Sequence, residues 1–463
     1  MMMLSVAAQV LNGKIVGDDV NFSAVSSDSR NIAKGDLFLA LRGDNFDGYA
    51  FVTSAAQNGA AAALVNADSY NGETGPCPML LVDDTRLALG KLAAYWRSQF
   101  DIPMVAITGS NGKTTVKEML ASILRITAGN EDAVLSTKGN MNNDIGMPLT
   151  LLQLNTAHSY AVIEMGMNHS GEIDYLTKIA KPDVVLINNA SGAHLEGLGS
   201  VEAVARAKGE ILNGLSANGT AVINADDDFA GLWRGLAGAH QILEFGFNPD
   251  ADVSGTWQPY GEGLHIDVTA PQGMFAAELH VPGEHNALNA LAATAAACAM
   301  NIPLEKIAAG LEKFGGVAGR MQHKTAYNGA NLIDDTYNAN PASMRAAIRV
   351  LAQAGKNRVL VMGDMGELGD AASLLHKAAG AEAREAGIEK LFALGELSSG
   401  AAREFGEGGR HFERIEDMLV ALGKSIDENS TVLVKGSRFM KMERVVKCLE
   451  AGEFNHASMR RHA

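Results

Sequence analysis

The segment Thr108-Gly109-Ser110-Asn111-Gly112-Lys113-Thr114-Thr115 stands between an apolar run at 104–107 and a stretch where Val116, Met119, Leu120, Ile123 and Leu124 recur at i, i+3, i+4, i+7 and i+8. An apolar run of strand length, a glycine loop and a 3.6-residue period predict strand, loop and helix in that order. The glycines let backbone N–H groups turn toward one point, and the helix N-terminus adds partial positive charge. Lys113 would then reach the outer phosphates of a nucleotide, and a threonine hydroxyl could bind Mg²⁺. The long form G-x-x-x-x-G-K-T is not met, because Ile107 occupies the first glycine's place, and a shorter G-x-x-G-K-T-T remains. A loop of this kind commits the chain to a parallel sheet with crossover helices.

The rest of the chain is patterned accordingly. With 463 residues, about three domains are expected at roughly 150 residues each. Apolar runs at 161–163, 184–187 and 221–223 join 104–107 as strands alternating with helical stretches. The segment 251–280 reads as an antiparallel patch and the alanine-rich run 286–300 as a buried helix. Beyond Gly316 the pattern restarts, with strands expected at 331–334, 359–362, 391–394 and 432–434. The first hundred residues mix short strands near 37–41 and 61–65 with a helix at 49–58, and end in an amphipathic helix through Leu87, Leu92 and Trp96. The expected fold is α/β in three domains: a smaller α/β domain at 1–100, a central P-loop parallel sheet at 101–316, and a Rossmann-like doubly wound sheet at 317–463.

Charge narrows the partners. The net charge of −15 argues against nucleic acid or an anionic membrane, so an anionic substrate must be held by local positive features or by metal ions. No apolar run approaches the ~20 residues that span a bilayer. Cys77, Cys298 and Cys448 are far apart and form no C-x-x-C pair, which fits a reduced, cytoplasmic, soluble protein.

Several polar residues sit where such sheets bind ligands, beyond the carboxyl ends of strands. Glu164 ends the second apolar run and is placed to hold Mg²⁺; Asn188, Asn189 and then His194 follow the third. Lys208 falls on the apolar stripe of Val201, Val204, Ile211, Leu212 and Leu215. Its ammonium must snorkel out, pair with a carboxylate such as Glu164, or lose its proton, and a neutral lysine can take up CO₂ as a carbamate. The amide-rich tract with Thr137, Asn140, Asn142 and Asn143 suits sugar hydroxyls, amides or phosphates. Asn286 and Asn289 share one helix face. Asp335, Tyr337, Asn338 and Asn340 follow the first strand of the last domain, and Arg320 lies in the hinge before it, where a guanidinium could reach a γ-phosphate on closure. Lys435, Ser437 and Arg438 make a cationic helix start suited to a carboxylate.

Taken in order, Gly109 to Thr115, Glu164-Met165-Gly166, His194, Lys208, Gly283-Glu284-His285-Asn286 with Asn289, and Arg320 resemble the Mur ligase family over nearly the whole chain. Within that family, the tracts 334–341, 137–143 and 435–444 are similar to the member that adds D-alanyl-D-alanine to a UDP-N-acetylmuramoyl-tripeptide. The tracts with Ser29, Arg30, Arg42 and Gly43 are similar to its UDP-binding region. The resemblance implies ATP on Gly109, Ser110, Asn111, Gly112, Lys113, Thr114 and Thr115. It implies two Mg²⁺ ions held by Thr114, Glu164, His194 and a carbamylated Lys208, with Asn286 and Asn289 near the adenine and Asp335 near the ribose. It also implies catalysis by Lys113, Lys208, His194 and Arg320 through an acyl phosphate, in a monomer. Alternatives are a folylpolyglutamate synthase, another Mur ligase, or a P-loop kinase or nucleotide switch, to which a second α/β domain would be surplus.

Overall fold

A computed structural model describes residues 1–43, 46–73, 75–192 and 195–454. Its largest sheet has nine strands in the order Val134–Ser136, Tyr160–Glu164, Met104–Thr108, Val184–Ile187, Thr220–Asn224, Gln241–Gly246, Val253–Tyr260, Gly263–Ala270 and Gly273–Leu279. The first seven are parallel and the last two pairings antiparallel, as the alternating pattern at 251–280 predicts. Successive strand residues face opposite layers. Val105, Ile107, Val162 and Leu186 pack with Met119, Leu120 and Ile123 of the helix Lys113–Ala128 and with the alanines of Glu284–Ala299. Met104, Ala106, Ile163 and Ile187 point into the other layer. Glu284–Ala299 is apolar nearly all round because it lies between the sheet and the helices Lys113–Ala128 and Leu304–Lys313, and alanine permits that close approach.

Met104–Thr108 pairs with Tyr160–Glu164 on one side and Val184–Ile187 on the other. The glycine loop therefore opens at the carboxyl edge, where successive connections diverge and a crevice forms.

The last third folds on a six-stranded sheet ordered Gln322–Thr325, Asn331–Asp335, Thr431–Lys435, Arg358–Gly363, Lys390–Leu394 and Gly409–Phe412, parallel except for its first strand. The first third has a five-stranded sheet, ordered Lys14–Val16, Met79–Val82, Ala62–Asn66, Leu37–Leu39 and Val25–Ser26, beside two two-stranded ones.

The two junctions between these units differ. The helix Thr85–Arg97, capped by Asp84, shares one core with the central layer: Leu89 and Leu92 cluster with Met147, Leu151, Ile173 and Leu176. Gly90 permits a close approach there, since a Cβ would lie 2.0 Å from the Tyr175 hydroxyl and would push that ring aside. Trp96 Nε1 donates to the Leu154 carbonyl at 3.0 Å. The C-terminal sheet instead keeps two cores of its own, and is joined through Gly315 and Gly316, the latter at φ +88°. No helix among the described residues is long and apolar enough to cross a membrane.

Candidate active site

The glycine loop is held from behind by the next strand end. Asn188 Nδ2 donates to the Asn111 carbonyl at 2.9 Å and the Asn111 N–H to Asn189 Oδ1 at 2.8 Å. Ser110 Oγ accepts from the Ser191 N–H. A Cβ at Gly109 would come 3.0 Å from that of Asn188, and one at Gly112, whose φ is +79°, would strike Asn289 Oδ1 and Asn188 Nδ2. Both glycines are therefore fixed by conformation or contact. Lys113 Nζ folds back onto the Gly109 carbonyl at 2.6 Å. Burial lowers its pKa, Glu164 opposes that shift, and Arg320 adds to it.

Glu164, only 2% exposed, accepts from Thr114 Oγ1 and from Asn142 Nδ2, each at 2.8 Å. Arg320 crosses the hinge so that its Nη2 donates to Thr114 Oγ1 at 2.9 Å, while its guanidinium stands 4.1 Å over the Tyr337 ring. The buried Arg320 Nε has no protein partner. Arg320 thus touches the helix that follows the glycine loop, and Asn340 Nδ2 adds a second bridge to Asn111 Oδ1 at 2.8 Å. Lys208 is 1% exposed, so it does not snorkel, and no ion pair to it exists among the described residues. Burial, then the nearby Lys113 charge, pushes its pKa well below the ordinary value, leaving loss of the proton as the surviving expectation. His194 lies outside the described residues.

Around these groups lies a cleft of about 980 Å³. It brings together Ser110 to Thr115, Asn140, Asn142, Asn143, Glu164, Asn286, Asn289, Arg320, Asp335, Tyr337, Asn338, Asn340, Lys435, Ser437 and Arg438. Ser29, Arg30, Arg42, Gly43, Thr137 and Lys208 do not line it. Arg42 is paired with Asp47 and Asp68 at 3.1 and 2.8 Å. Arg30 pairs with Asp28, whose carboxyl it holds down at about 2.

One expectation changes, that for Thr137, and five of the cleft residues also have partners within the protein. Thr137 is wholly buried: its Oγ1 accepts from the Glu164 N–H, and its carbonyl accepts from buried Lys117, so it props the strand end rather than facing a substrate. Asn286 and Asn289 lie 4% and 5% exposed, with Asn289 Nδ2 donating to Asn286 Oδ1 and Asn289 Oδ1 accepting from Asn188, so their amides brace the loop. Asp335 and Lys435 neutralise each other at 2.5 Å as register partners on neighbouring parallel strands. Asn340 caps the helix Pro341–Ala352 through the Ser343 N–H.

The donor set fits Mg²⁺ and a nucleotide. No cluster of three or more His, Cys, Asp or Glu suited to a metal occurs among the described residues. One buried carboxylate with a hydroxyl is too little for a closed protein cage, but it suits an ion that keeps waters and phosphate oxygens. The orphaned Arg320 Nε likewise lacks an anion.

Three family models match in order: "Mur ligase family, catalytic domain" at residues 21–97, "Mur ligase middle domain" at 107–297, and "Mur ligase, glutamate ligase domain" at 319–438. The UDP-N-acetylmuramoyl-tripeptide–D-alanyl-D-alanine ligase of Escherichia coli is 42% identical over 451 residues, covering 96% of this chain and 98% of that one. The chain belongs to the Mur ligase family. Among solved structures, MurF from Acinetobacter baumannii superposes with a TM-score of 0.89 at 38% identity, over 96% of this chain and 98% of that one. MurF from Thermotoga maritima, in complex with ADP, gives 0.80 at 27%, over 95% and 98%. For a Mur ligase, one residue of this cleft carried no local sequence signal, Arg86, which helix packing brings in; His285, named only within the family tract, faces Asp335 and Lys435 across the domain junction and is held at about 4 by burial.

Proposed function

We propose that this chain is an ATP-dependent amide ligase that joins D-alanyl-D-alanine to the terminal carboxyl of a UDP-N-acetylmuramoyl-tripeptide, releasing ADP and phosphate in cytoplasmic peptidoglycan precursor synthesis. The observation that carries it is the meeting of Lys113, Thr114, Glu164 and Arg320 at one crevice, in a chain that matches the E. coli ligase from end to end.

A carboxylate does not react with an amine at neutral pH until one of its oxygens becomes a leaving group. Attack of the tripeptide carboxylate on a γ-phosphoryl group supplies one, as an acyl phosphate, which the dipeptide amine then displaces through a tetrahedral intermediate. Lys113 and Arg320, from different domains, approach the transferring group from two sides and offset its charge in a chain that is otherwise acidic. Two Mg²⁺ ions, held by Glu164, Thr114, His194 and Lys208, would supply further charge neutralisation and polarise the phosphoryl group when bound. Asn142 fixes the Glu164 carboxylate from the amide loop.

Lys208 serves as a carbamate. The lone pair of its neutral amine attacks CO₂, an N–C bond forms, and one proton passes to water, leaving the negative charge a metal ligand needs. Its burial and lowered pKa support this reading. Residues 1–100 take the UDP moiety through Ser29, Arg30, Arg42 and Gly43, residues 101–316 take ATP, and residues 317–463 take the dipeptide at Tyr337, Asn338, Ser437 and exposed Arg438.

Phosphate release measured with UDP-N-acetylmuramoyl-tripeptide and ATP, with and without D-alanyl-D-alanine, tests the proposal. Stoichiometric release that requires both co-substrates is expected. Equal release without the dipeptide would leave a nucleotide hydrolase instead.

A further inference from the structure

We propose that Arg86, Asp144 and Asn143 form a subsite that reads the side chain of the tripeptide's third residue, selecting one that ends in both a carboxylate and an ammonium, such as 2,6-diaminopimelate, over lysine. The inference rests on the ligase reading above. Arg86 lies in the first turn of Thr85–Arg97, at the junction fused to the central core, and lines the cleft beside the amide loop.

Its guanidinium meets Asp144 in a two-pronged pair through Nε and Nη2, the latter at 2.9 Å. Nη1 makes no hydrogen bond among the described residues, and the Arg86 side chain is 56% exposed. Asn143 Oδ1 accepts from the Gly146 N–H at 2.8 Å and the Ile145 N–H at 3.3 Å, which leaves its Nδ2 as a donor on the same wall. The wall therefore presents N–H donors for a carboxylate and, next to them, an anion for an ammonium. An amino-acid head group matches both. A lysine side chain carries no carboxylate for Arg86 Nη1 and Asn143 Nδ2 and so forgoes that half of the contact.

The chemistry requires such a reader. A diaminopimelate residue carries two carboxylates of similar nucleophilicity, and only one is to be phosphorylated. Engaging the other on a guanidinium removes it from competition and fixes the register of the first.

The test compares kcat/KM of the full-length enzyme on UDP-tripeptides ending in diaminopimelate or lysine. Wild type should prefer the first by about tenfold or more, within the range a matched polar contact supports. Arg86→Met should lower kcat/KM for the diaminopimelate substrate by about tenfold or more, mainly through KM, and leave the lysine substrate within about threefold, since only uniform binding is lost. Asp144→Asn should narrow the preference as well, which keeps the test open if Arg86→Met does not fold. Equal use of both substrates by wild type, or equal loss on both in a folded variant, overturns the subsite while the ligase stands. Consumption of neither substrate overturns both.

Discussion

Replacing Lys435 with methionine separates a structural role for this lysine from a substrate-binding one. Its Nζ lies 2.5 Å from Asp335 Oδ2, with the two side chains 4% and 11% exposed. Without it, the Asp335 carboxylate keeps only the Met321 N–H at 3.2 Å. Methionine preserves most of the stem volume, so the cavity contribution is small and the loss is that of a buried charge deprived of its partner, about 3–5 kcal/mol. At about 2–4 °C per kcal/mol for a domain of this size, Tm should fall by roughly 6–20 °C. The double variant Asp335→Asn with Lys435→Met removes both charges and should recover most of that loss, so the deficit is not additive. Thermal melting of wild type, both single variants and the double closes the cycle. A Lys435→Met protein that melts with wild type but has a raised KM for the dipeptide would refute the argument and return the lysine to substrate recognition.

Lys208→Ala should be nearly inactive and be partly restored by a short carboxylic acid, which replaces a carbamate's charge; restoration by amines alone would contradict the carbamate. If the tripeptide's terminal carboxylate carries heavy oxygen, one labelled atom should leave in inorganic phosphate, whereas label in AMP would indicate an adenylate. His285 is held at about 4 against an ordinary 6.5, so in that window the unfolded chain binds a proton that the folded chain excludes. Its contribution to stability is whole above 6.5 and declines as pH falls toward 4; His285→Gln should flatten the slope of Tm against pH there, and an unchanged slope would count against it.

What the sequence disclosed depended on how local each signal was. The glycine loop, its strand and its helix lie within 25 residues, and periodicity alone places them. Glu164 follows from a strand that ends in a carboxylate, and Lys208 from a cation on an apolar stripe, a local conflict that burial then makes acute. The roles not legible in the sequence depend on distant partners. Asn289 reads as a ligand contact, and its further role in bracing the loop appears only when Asn188, about a hundred positions earlier, donates to its side-chain carbonyl and Gly112 packs on it. Lys435 looks like a carboxylate receptor, and its pairing with Asp335, a hundred positions away, is set by parallel register. Arg86 gives no signal, because an arginine in a helix's first turn is ordinary and only the packing of that helix on the central core turns it toward the cleft.

The contrast between the two junctions also bears on how the reaction can be gated. The first domain shares an apolar core with the central one, and moving it would expose Leu89 and Leu92 together with the Met147 and Leu151 they cover. Burial of each such side chain is worth about 1.5–3 kcal/mol, so several together hold the junction closed. Across the second junction the polar contacts are few: Arg320 to Thr114 and Asn340 to Asn111. Hydrogen bonds of this kind exchange with water at a net of roughly 1 kcal/mol each, a cost that thermal motion meets readily. The wall around Arg86 and the phosphate loop thus share one core, whereas the C-terminal sheet is held to them by fewer contacts. Arg320 belongs to the C-terminal unit yet is hydrogen-bonded to Thr114, so any opening at Gly315 and Gly316 would also withdraw this cation from the glycine loop.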